Sequence, residues 1–213
     1  MPSKKDHYSS RFPDAQLKVF TISESLRRHL YIFKTTTGVF SYKKLDLGTK
    51  ILITHMDIPQ GSCSLLDLGC GYGPIGIVLA YESPQSNIYF IDRNRRAIWC
   101  VRENIKLNLP HSQDRLFVYA GDYFHPLKNK SVKFDSIYLN PAVRQGRQEF
   151  LDLFKELPEY LKSNGFFEFV LRRKMGAEYV FNYLQQKYPS NHIHIKCKRS
   201  GYWVFRYSLS DEG

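Results

Sequence analysis

A glycine-rich stretch with the sequence LLDLGCGYGPIG has the residue types needed to hold a small charged ligand. Gly69, Gly71 and Gly73 directly follow an apolar run that predicts a buried strand, and such glycines allow a tight turn and a close approach of the backbone to a ligand. A helix predicted to begin near Pro74 would direct the positive end of its dipole at the same place. The stretch therefore predicts a cofactor-binding loop between a strand and a helix.

Asp67 indicates which kind of cofactor this loop would accept. Its carboxylate precedes the first glycine, where it would repel the pyrophosphate of a dinucleotide but would suit a cationic amino-acid group. S-adenosylmethionine has such a group and no phosphate. Asp67, Gly69, Gly71 and Gly73 are therefore predicted to bind S-adenosylmethionine.

Two further aspartates follow the next two predicted strands. Asp92 lies about 20 residues beyond the glycines, where a carboxylate can hold both hydroxyls of a ribose. Asp122 follows the third strand and could accept a hydrogen bond from an adenine amino group. Each alone could equally be a helix cap or a turn residue. Aspartates at the ends of three consecutive strands favour ligand binding, because open α/β sheets bind ligands at that edge.

The stretch LNPAVRQGR, residues 139–147, has the shape of a catalytic loop. It follows a run that predicts a buried strand and precedes one that predicts a helix. Its polar and basic residues would therefore lie at the same sheet edge as the three aspartates.

Basic residues exceed acidic ones strongly enough to suggest a polyanionic partner. The formal net charge is +11, 15% of the residues are aromatic, and the basic residues are partly clustered, at 93–96, 172–174 and 196–199. This profile is typical of nucleic-acid-binding proteins, although many basic proteins merely have a solvated basic face. Position favours RNA binding, since several basic residues follow strand ends at the predicted site edge: Arg144, Arg147, Arg172, Arg173 and Lys174.

Apolar runs alternate with amphipathic helical stretches through most of the chain. This alternation predicts a doubly wound α/β fold, a parallel sheet with helices on both faces. Two closing runs joined only by KRSG predict an antiparallel hairpin. The predicted strands of the sheet are 64–68, 87–91, 116–120, 134–139 and 166–171, the closing runs are 192–197 and 202–209, and the predicted helices are 47–56 and those beginning at Pro74, Asn94, Gln148 and Ala177.

The N-terminal part has a different pattern. Residues 17–22 and 29–35 alternate apolar and polar side chains like strands, and a turn follows at Gly38. We predict a single domain, in which residues 1–45 form a β-rich extension packed on a core of residues 46–213.

Several classes of protein are disfavoured by the composition. No stretch approaches the roughly 18 apolar residues of a membrane span, and the N-terminus is too polar for a signal peptide, so a cytoplasmic protein is expected. The four cysteines are scattered, and neither they nor the seven histidines have the spacing of a metal site. We expect reduced thiols and no metal.

Motifs along nearly the whole chain resemble those of one enzyme group. The sequence is similar to class I S-adenosylmethionine-dependent methyltransferases of the small-subunit ribosomal RNA guanine-N2 group, and especially to their short, single-domain archaeal members. The resemblance implies a Rossmann-like, seven-stranded sheet with a reversed C-terminal strand. It is carried by FKTTTGVFSYKKLDLGTKIL, LLDLGCGYGPIGI, DRNRRAI, ENIKLN, NPAVRQGR and GYWVF.

The same resemblance implies roles for individual residues. Asn140 and Pro141 would lie at the methyl-accepting nitrogen, with Asn140 also bordering the cofactor. Residues 38–49 would cover the methionine end of S-adenosylmethionine. An exocyclic amine is a poor nucleophile, so it would need to be fixed in line with the methyl group by acceptors such as the Asn140 side-chain oxygen.

The loop departs from the family pattern at two positions. Ala142 stands where the family has a second proline, which loosens the turn, and Val143 stands where the family has an aromatic or sometimes an aliphatic residue, so it offers no base-stacking surface. Neither change removes an acceptor. We therefore favour an active RNA guanine-N2 methyltransferase acting on ribosomal RNA, with transfer RNA as a second substrate class. The alternatives are a protein amide or amine methyltransferase, and a degenerate RNA-binding assembly factor or partner subunit.

Overall fold

The computed structural model describes residues 18–141, 147–189 and 192–209. Nine strands and five helices follow one another along these residues. The strands are β1 (Val19–Leu26), β2 (His29–Thr36), β3 (Ser64–Leu68), β4 (Asn87–Asp92), β5 (Leu116–Ala120), β6 (Phe134–Leu139), β7 (Leu161–Arg172), β8 (Ile193–Arg199) and β9 (Tyr202–Ser208). The helices are α1 (Leu47–His55), α2 (Pro74–Glu82), α3 (Arg95–Asn108), α4 (Arg147–Tyr160) and α5 (Ala177–Lys187).

The main sheet has seven strands in the order β5-β4-β3-β6-β7-β9-β8. Neighbouring strands from β5 to β7 are parallel, whereas β9 runs antiparallel to both β7 and β8. The predicted α/β sheet with a reversed C-terminal strand is therefore confirmed. Because its parallel strands share a direction, their carboxyl ends form one edge, and the polar loops meet there.

Helices cover both faces of this sheet, as the doubly wound prediction requires. One apolar core contains side chains of α1, α2 and α3, including Leu52, Val78 and Val101. The other contains side chains of α4 and α5, including Phe154 and Leu184. Side chains of each strand alternate between the two cores, because successive residues of a strand point to opposite faces.

A separate antiparallel hairpin, β1–β2, precedes the main sheet. Alternate side chains of β2, including Tyr31 and Phe33, are fully buried in the core that holds α1 to α3. The side chains between them, Leu30 and Ile32, are exposed. The hairpin thus packs one face on the body of the protein, as its alternating sequence predicts.

Several element boundaries differ from the sequence-based ones, most of them by one or two residues. β7 begins at Leu161 rather than at residue 166, because Leu161 is buried and pairs with Phe134 before a register shift. Exposed polar residues 162–164 follow it and hide the strand from an apolar-run criterion. Helix α4 begins at Arg147, one residue earlier than predicted. β8 begins at Ile193 rather than at residue 192.

All four cysteines are free thiols. Cys70 and Cys100 are buried, while Cys63 and Cys197 are partly exposed. Within the three described ranges, no helix is both long and apolar enough to cross a membrane. The same ranges contain no cluster of three or more potential metal ligands.

Candidate active site

The glycine-rich loop connects β3 to α2 at the carboxyl edge of the sheet. Gly69, Gly71 and Gly73 all have positive φ, at 64°, 57° and 91°. Only glycine adopts this left-handed region without strain. A Cβ added to Gly71 would meet no atom within 4 Å, so the space above this residue is open to a ligand.

Asp67 lies beneath this loop and is fully buried. Its Oδ2 accepts a hydrogen bond from the Gly76 backbone N–H at 2.8 Å, whereas Oδ1 has no partner among the described residues. Burial raises the pKa of the Asp67 carboxyl to about 8; the Gly76 hydrogen bond opposes this rise and nearby Asp92 adds to it. An unpartnered buried carboxylate oxygen fits a site that receives a cationic group.

Asp92, the last residue of β4, holds the glycine loop from the side. Its Oδ2 accepts from the Gly71 N–H at 2.8 Å and its Oδ1 from the Asn94 N–H at 2.7 Å. Burial raises the pKa of this carboxyl, and the two backbone donors oppose the rise. Each carboxylate oxygen has a second lone pair, which leaves acceptor capacity for a ribose hydroxyl.

Asp122 lies two residues beyond β5 at the same edge. Its side chain is 68% exposed, and its Oδ1 lies 3.8 Å from Nη1 of Arg93. The three aspartates thus follow three neighbouring strands, in the order expected, and Arg93 neutralises part of the charge of the outermost one. Of the three aspartates, Asp122 follows the strand farthest from the glycine loop in the sheet, which suits the base end of a nucleoside.

Asn140 follows β6, and two hydrogen bonds fix its side-chain amide. Nδ2 donates to Oδ2 of Asp46 at 2.8 Å and to Oγ1 of Thr49 at 2.7 Å. Both amide hydrogens are therefore used, and no residue of the described ranges donates to Oδ1. The amide oxygen is left as the acceptor that an amine substrate would meet.

The end of the β2–α1 connection and the first turn of α1 supply the two partners of Asn140. Asp46 is the N-cap of α1 and accepts from the Thr49 N–H at 3.0 Å, so cap and amide share one carboxylate oxygen. At the start of the connection, Arg96 donates to the Thr37 carbonyl at 3.1 Å and Asn94 donates to the Gly38 carbonyl at 2.7 Å. The segment 38–49 is held at both ends beside the candidate site.

The predicted RNA-binding residues fall into two groups. Arg172, Arg173 and Lys174 are exposed at the carboxyl end of β7, on the site edge. Arg144 lies outside the described residues, as do Ala142 and Val143, and of Arg147 only its place at the start of α4 is described. Within the cluster 93–96, whose role the sequence left open, Arg96 is used inside the fold, where it holds the Thr37 carbonyl.

Two residues near the site were not predicted. Asn104 of α3 is fully buried and its Nδ2 donates to the Tyr72 carbonyl of the glycine loop at 2.8 Å. Tyr202, the first residue of β9, packs against Gly48, where an added Cβ would lie 2.8 Å from its ring. The only signal for Asn104 is its spacing of four from Asn108 on a helix, and Tyr202 had none beyond the GYWVF motif.

A family model for the methyltransferase small domain matches residues 30–206. The match extends from β2 almost to the end of β9 and includes the whole candidate site. The chain belongs to the methyltransferase small domain family. The glycine loop, the three aspartates and the Asn-Pro turn all lie within the matched range.

Curated relatives fall into a short and a long class. An uncharacterized protein of Bacillus subtilis, YbxB, is 31% identical over 201 residues, which cover 94% of this chain and 97% of that one. Ribosomal RNA small subunit methyltransferase C of Buchnera aphidicola is 28% identical over 177 residues, 80% of this chain and 50% of the relative. Ribosomal RNA large subunit methyltransferase G of Pseudoalteromonas atlantica is 28% identical over 142 residues, 63% and 37% respectively. The chain spans half or less of these two ribosomal RNA methyltransferases.

Solved structures show the same fold. The 16S rRNA N2 G1207 methyltransferase of T. thermophilus, in complex with AdoMet and guanosine, superposes with a TM-score of 0.71 at 19% identity, over 92% of this chain and 51% of that one. A precorrin-6y C5,15-methyltransferase of Geobacter metallireducens superposes with a TM-score of 0.62 at 14% identity, over 84% and 94%. At these identities the likeness shows the fold and nothing finer.

Proposed function

We propose that this member of the methyltransferase small domain family transfers a methyl group from S-adenosylmethionine to guanine N2 in RNA. Ribosomal RNA is the favoured substrate and transfer RNA the second. The orientation of the Asn140 amide carries the proposal, because it leaves an oxygen acceptor at the site edge. The names of two long relatives, both ribosomal RNA methyltransferases, support the substrate class.

The residues around the glycine loop fit the cofactor. Asp92 would hold the ribose hydroxyls and Asp122 the adenine amino group, while the open backbone at Gly71 allows close approach. The unpartnered Oδ1 of Asp67 would balance the amino-acid cation. When bound, S-adenosylmethionine supplies a methyl group on a positively charged sulfur, which a neutral amine can displace directly.

Asn140 would act on the accepting amine. Its Oδ1 would accept a hydrogen bond from one hydrogen of the guanine amino group and hold the nitrogen in line with the methyl carbon. The same bond strengthens as positive charge develops on that nitrogen. Pro141 fixes the backbone after Asn140, so that the carbonyl groups of the turn stay available as further acceptors.

Other properties of the protein are proposed together with this activity. Arg172, Arg173 and Lys174 would contact RNA phosphates beside the site. A cytoplasmic location, a reaction without a metal ion and a single-domain organisation remain predictions. A protein partner is not required by the chemistry.

The decisive experiment is methylation by the purified protein with methyl-labelled S-adenosylmethionine. Ribosomal RNA, transfer RNA and ribosomal subunits lacking modification are the substrates, and the labelled nucleoside is identified by chromatography. We expect N2-methylguanosine with the wild type and a loss of about 100-fold or more in rate with Asn140→Ala. Asn87→Ala, which changes an exposed asparagine at the opposite end of the sheet, is the matched control.

Two outcomes would contradict the proposal. Label on protein but on no RNA would favour a protein amide or amine methyltransferase. Binding of cofactor and RNA without any label would favour a degenerate binding protein or a subunit that needs a partner.

A further inference from the structure

A groove of about 430 Å³ lies beside the candidate active site, between the turn of the β8–β9 hairpin and the residues that follow β7. It is lined by Arg173, Glu178 and residues 198–203, and we call it the hairpin groove. The Arg173 N–H donates to the Gly201 carbonyl at 2.8 Å, which joins its two walls. No role was predicted for the hairpin turn.

The charge of the hairpin groove favours an anion. Lys198 and Arg199 are exposed at the end of β8, and Arg173 lines the same groove with a side chain that is 67% exposed. The single acidic lining residue, Glu178, lies 4.0 Å from Arg173 and neutralises one cation. A net positive groove remains, of the kind that follows a phosphate backbone.

Aromatic side chains lie among these cations. Tyr202 and Trp203 are successive, partly exposed residues of β9 in the groove lining, and their rings point to opposite faces of the sheet. The Lys198 Nζ lies 3.9 Å from the centre of the Trp203 ring, and the Arg172 guanidinium carbon lies 5.9 Å from that of Tyr202. Rings flanked by cations are the surfaces on which unpaired bases stack, and stacking tolerates any base.

Tyr202 also joins the groove to the catalytic loop. A Cβ added to Gly48 would lie 2.8 Å from the Tyr202 ring and 2.9 Å from Oδ2 of Asp46. That same carboxylate oxygen accepts the hydrogen bond from the Asn140 amide. Tyr202 therefore belongs to the groove lining, and its ring lies beside the segment whose Asp46 carboxylate holds Asn140.

We propose that the hairpin groove binds the single-stranded RNA segment next to the target nucleotide, with Tyr202 as the stacking surface at the entrance to the active site. The proposal rests on the proposed RNA substrate and names the surface that selects it. Tyr202 would then supply, from β9, an aromatic surface of the kind that Val143 does not offer in the catalytic loop. An acidic peptide would need the cations but not the stacking surface.

RNA binding is tested first, because it does not require turnover. A fluorescein-labelled single-stranded RNA oligonucleotide is titrated with protein at several salt concentrations and its anisotropy is measured. The double variant Lys198→Ala/Arg199→Ala should bind RNA about tenfold or more weakly than the wild type. In a plot of log affinity against log salt concentration, its slope should be shallower by about 1.4, since each phosphate contact to a single strand contributes about 0.7.

A second basic groove provides the matched control. Lys128, Lys130 and Lys133 line a groove of about 390 Å³ before β6, at the amino edge of the sheet. The double variant Lys128→Ala/Lys130→Ala removes the same charge there and should bind RNA within about twofold of wild type. If both double variants weaken RNA binding equally, the effect is due to net charge alone and the proposal is overturned.

Tyr202 is tested by turnover. Tyr202→Ala should raise KM for RNA by roughly 5- to 150-fold, the range for one lost base stack. Tyr202→Phe should retain the wild-type value, and the cofactor affinity of both variants, measured by calorimetry, should be unchanged. A large effect of Tyr202→Phe would show that the residue acts through its hydroxyl, and a loss of cofactor binding in Tyr202→Ala would show that it acts by packing on Gly48. Either result would contradict stacking.

The outcomes for the groove and for the proposed function are distinguishable. If the wild type methylates RNA and the Lys198→Ala/Arg199→Ala variant has the same RNA affinity and the same rate, only the groove proposal is overturned. RNA binding that depends on the groove, with no methylation of any RNA, would contradict only the enzymatic function. Absence of RNA binding by the wild type would overturn the groove proposal. So would displacement of RNA by an acidic peptide, if Tyr202→Ala binds both the RNA and the peptide as the wild type does.

Discussion

At the scale of single residues, the candidate site depends on how one amide is turned. An asparagine side chain offers an oxygen and a nitrogen of similar size, and only the oxygen can receive a hydrogen from an amine. Asp46 and Thr49 offer acceptors to the Asn140 Nδ2, and the reversed orientation would place the amide oxygen against the Asp46 carboxylate oxygen. Asp46, the N-cap of α1, thus selects the orientation that the proposed reaction needs.

Thr49→Val tests this restraint. Valine has nearly the volume of threonine but no hydroxyl, so the buried site should stay packed while one of the two amide contacts is lost. We expect single-turnover methylation to slow by about tenfold, equivalent to one hydrogen bond of about 1.4 kcal/mol, with cofactor affinity unchanged. Thr54→Val, which removes an exposed hydroxyl bonded to the Lys50 carbonyl on the same helix, is the control. Equal methylation rates for Thr49→Val and Thr54→Val would show that the Thr49 hydroxyl does not hold the Asn140 amide in place.

Asp67 predicts a pH dependence of cofactor binding. Its pKa of about 8 in the free protein means that the buried carboxyl is mostly protonated at pH 7. A cationic group bound nearby lowers that pKa, so the proton should leave on binding, and affinity should rise with pH up to about 8.

Calorimetry of S-adenosylmethionine binding at pH 7, in buffers with different ionisation enthalpies, measures this proton. Asp67→Asn should abolish the release, and Asp122→Asn, which changes an exposed carboxylate of the same edge, should preserve it. A binding enthalpy that is independent of the buffer in the wild type would contradict the prediction.

The sequence predicts the candidate site residues but not their hydrogen-bond partners. Asn140 and Asp92 could be found because each follows an apolar strand, and strand ends are visible in the sequence. The contact between Asn140 and Asp46 joins residues 94 positions apart, and no local pattern specifies such a pairing. The cap role of Asp46 and the amide role of Thr49 emerge only when α1 is packed beside β6.

At the scale of elements, two asparagines attach the β1–β2 hairpin to α3. The Asn104 amide donates to the Lys34 carbonyl at 2.8 Å and accepts from the Lys34 N–H at 2.6 Å. One helical turn later, Asn108 makes the same pair of bonds with Ile32, at 2.8 and 3.2 Å. The spacing of four on a helix matches the spacing of two on a strand, so α3 satisfies the free side of β2 as a neighbouring strand would.

Asn104→Ala should be costly because it leaves three groups without partners. The carbonyls of Lys34 and Tyr72 and the Lys34 N–H all lose their bonds to Asn104, and we expect a loss of about 3 kcal/mol in the free energy of unfolding. Asn108→Ala, at the more exposed end, should cost about 1 kcal/mol. Urea unfolding measures both. Similar costs would show that burial of the Asn104 amide does not matter.

Because Asn104 also donates to the Tyr72 carbonyl of the glycine loop, only its variant should weaken cofactor binding.

Strand boundaries were predictable where a largely apolar stretch lies between polar or glycine residues. β3, β5 and β6 are bounded as predicted, because each is an apolar run flanked by polar or glycine residues. The first residues of β7 were missed, since exposed polar side chains separate Leu161 from the apolar run at Phe166. Pairing with β6 maintains the strand there, and pairing is a property of two segments.

At the scale of the whole molecule, the hairpin and the main sheet share one apolar core. Phe33 of β2 is fully buried in the same cluster as Leu52 of α1 and Phe90 of β4. An extension that buries its side chains in the core of the main sheet has no core of its own to keep it folded alone. We therefore expect residues 18–209 to unfold as one unit.

Urea unfolding followed by far-UV circular dichroism and by tryptophan fluorescence tests this expectation. The fluorescence reports on Trp99 of α3 and Trp203 of β9, at distant parts of the fold, and the two transitions should coincide. Phe33→Ala should lower both midpoints together, by about 3 to 5 kcal/mol of unfolding free energy. Leu30→Ala, in the same strand but 60% exposed, should have little effect. An early separate transition would show an independent hairpin.

The turn at Asn140 and Pro141 has a consequence for the working life of the protein. Asparagine side chains age by deamidation, which begins when the backbone nitrogen of the next residue attacks the side-chain carbonyl carbon. The nitrogen of Pro141 carries no hydrogen and is already bonded to three carbons, so it cannot close that ring. The residue that stiffens the turn therefore also preserves the Asn140 amide against slow hydrolysis to aspartate, which would put a negative charge in place of an orientable amide.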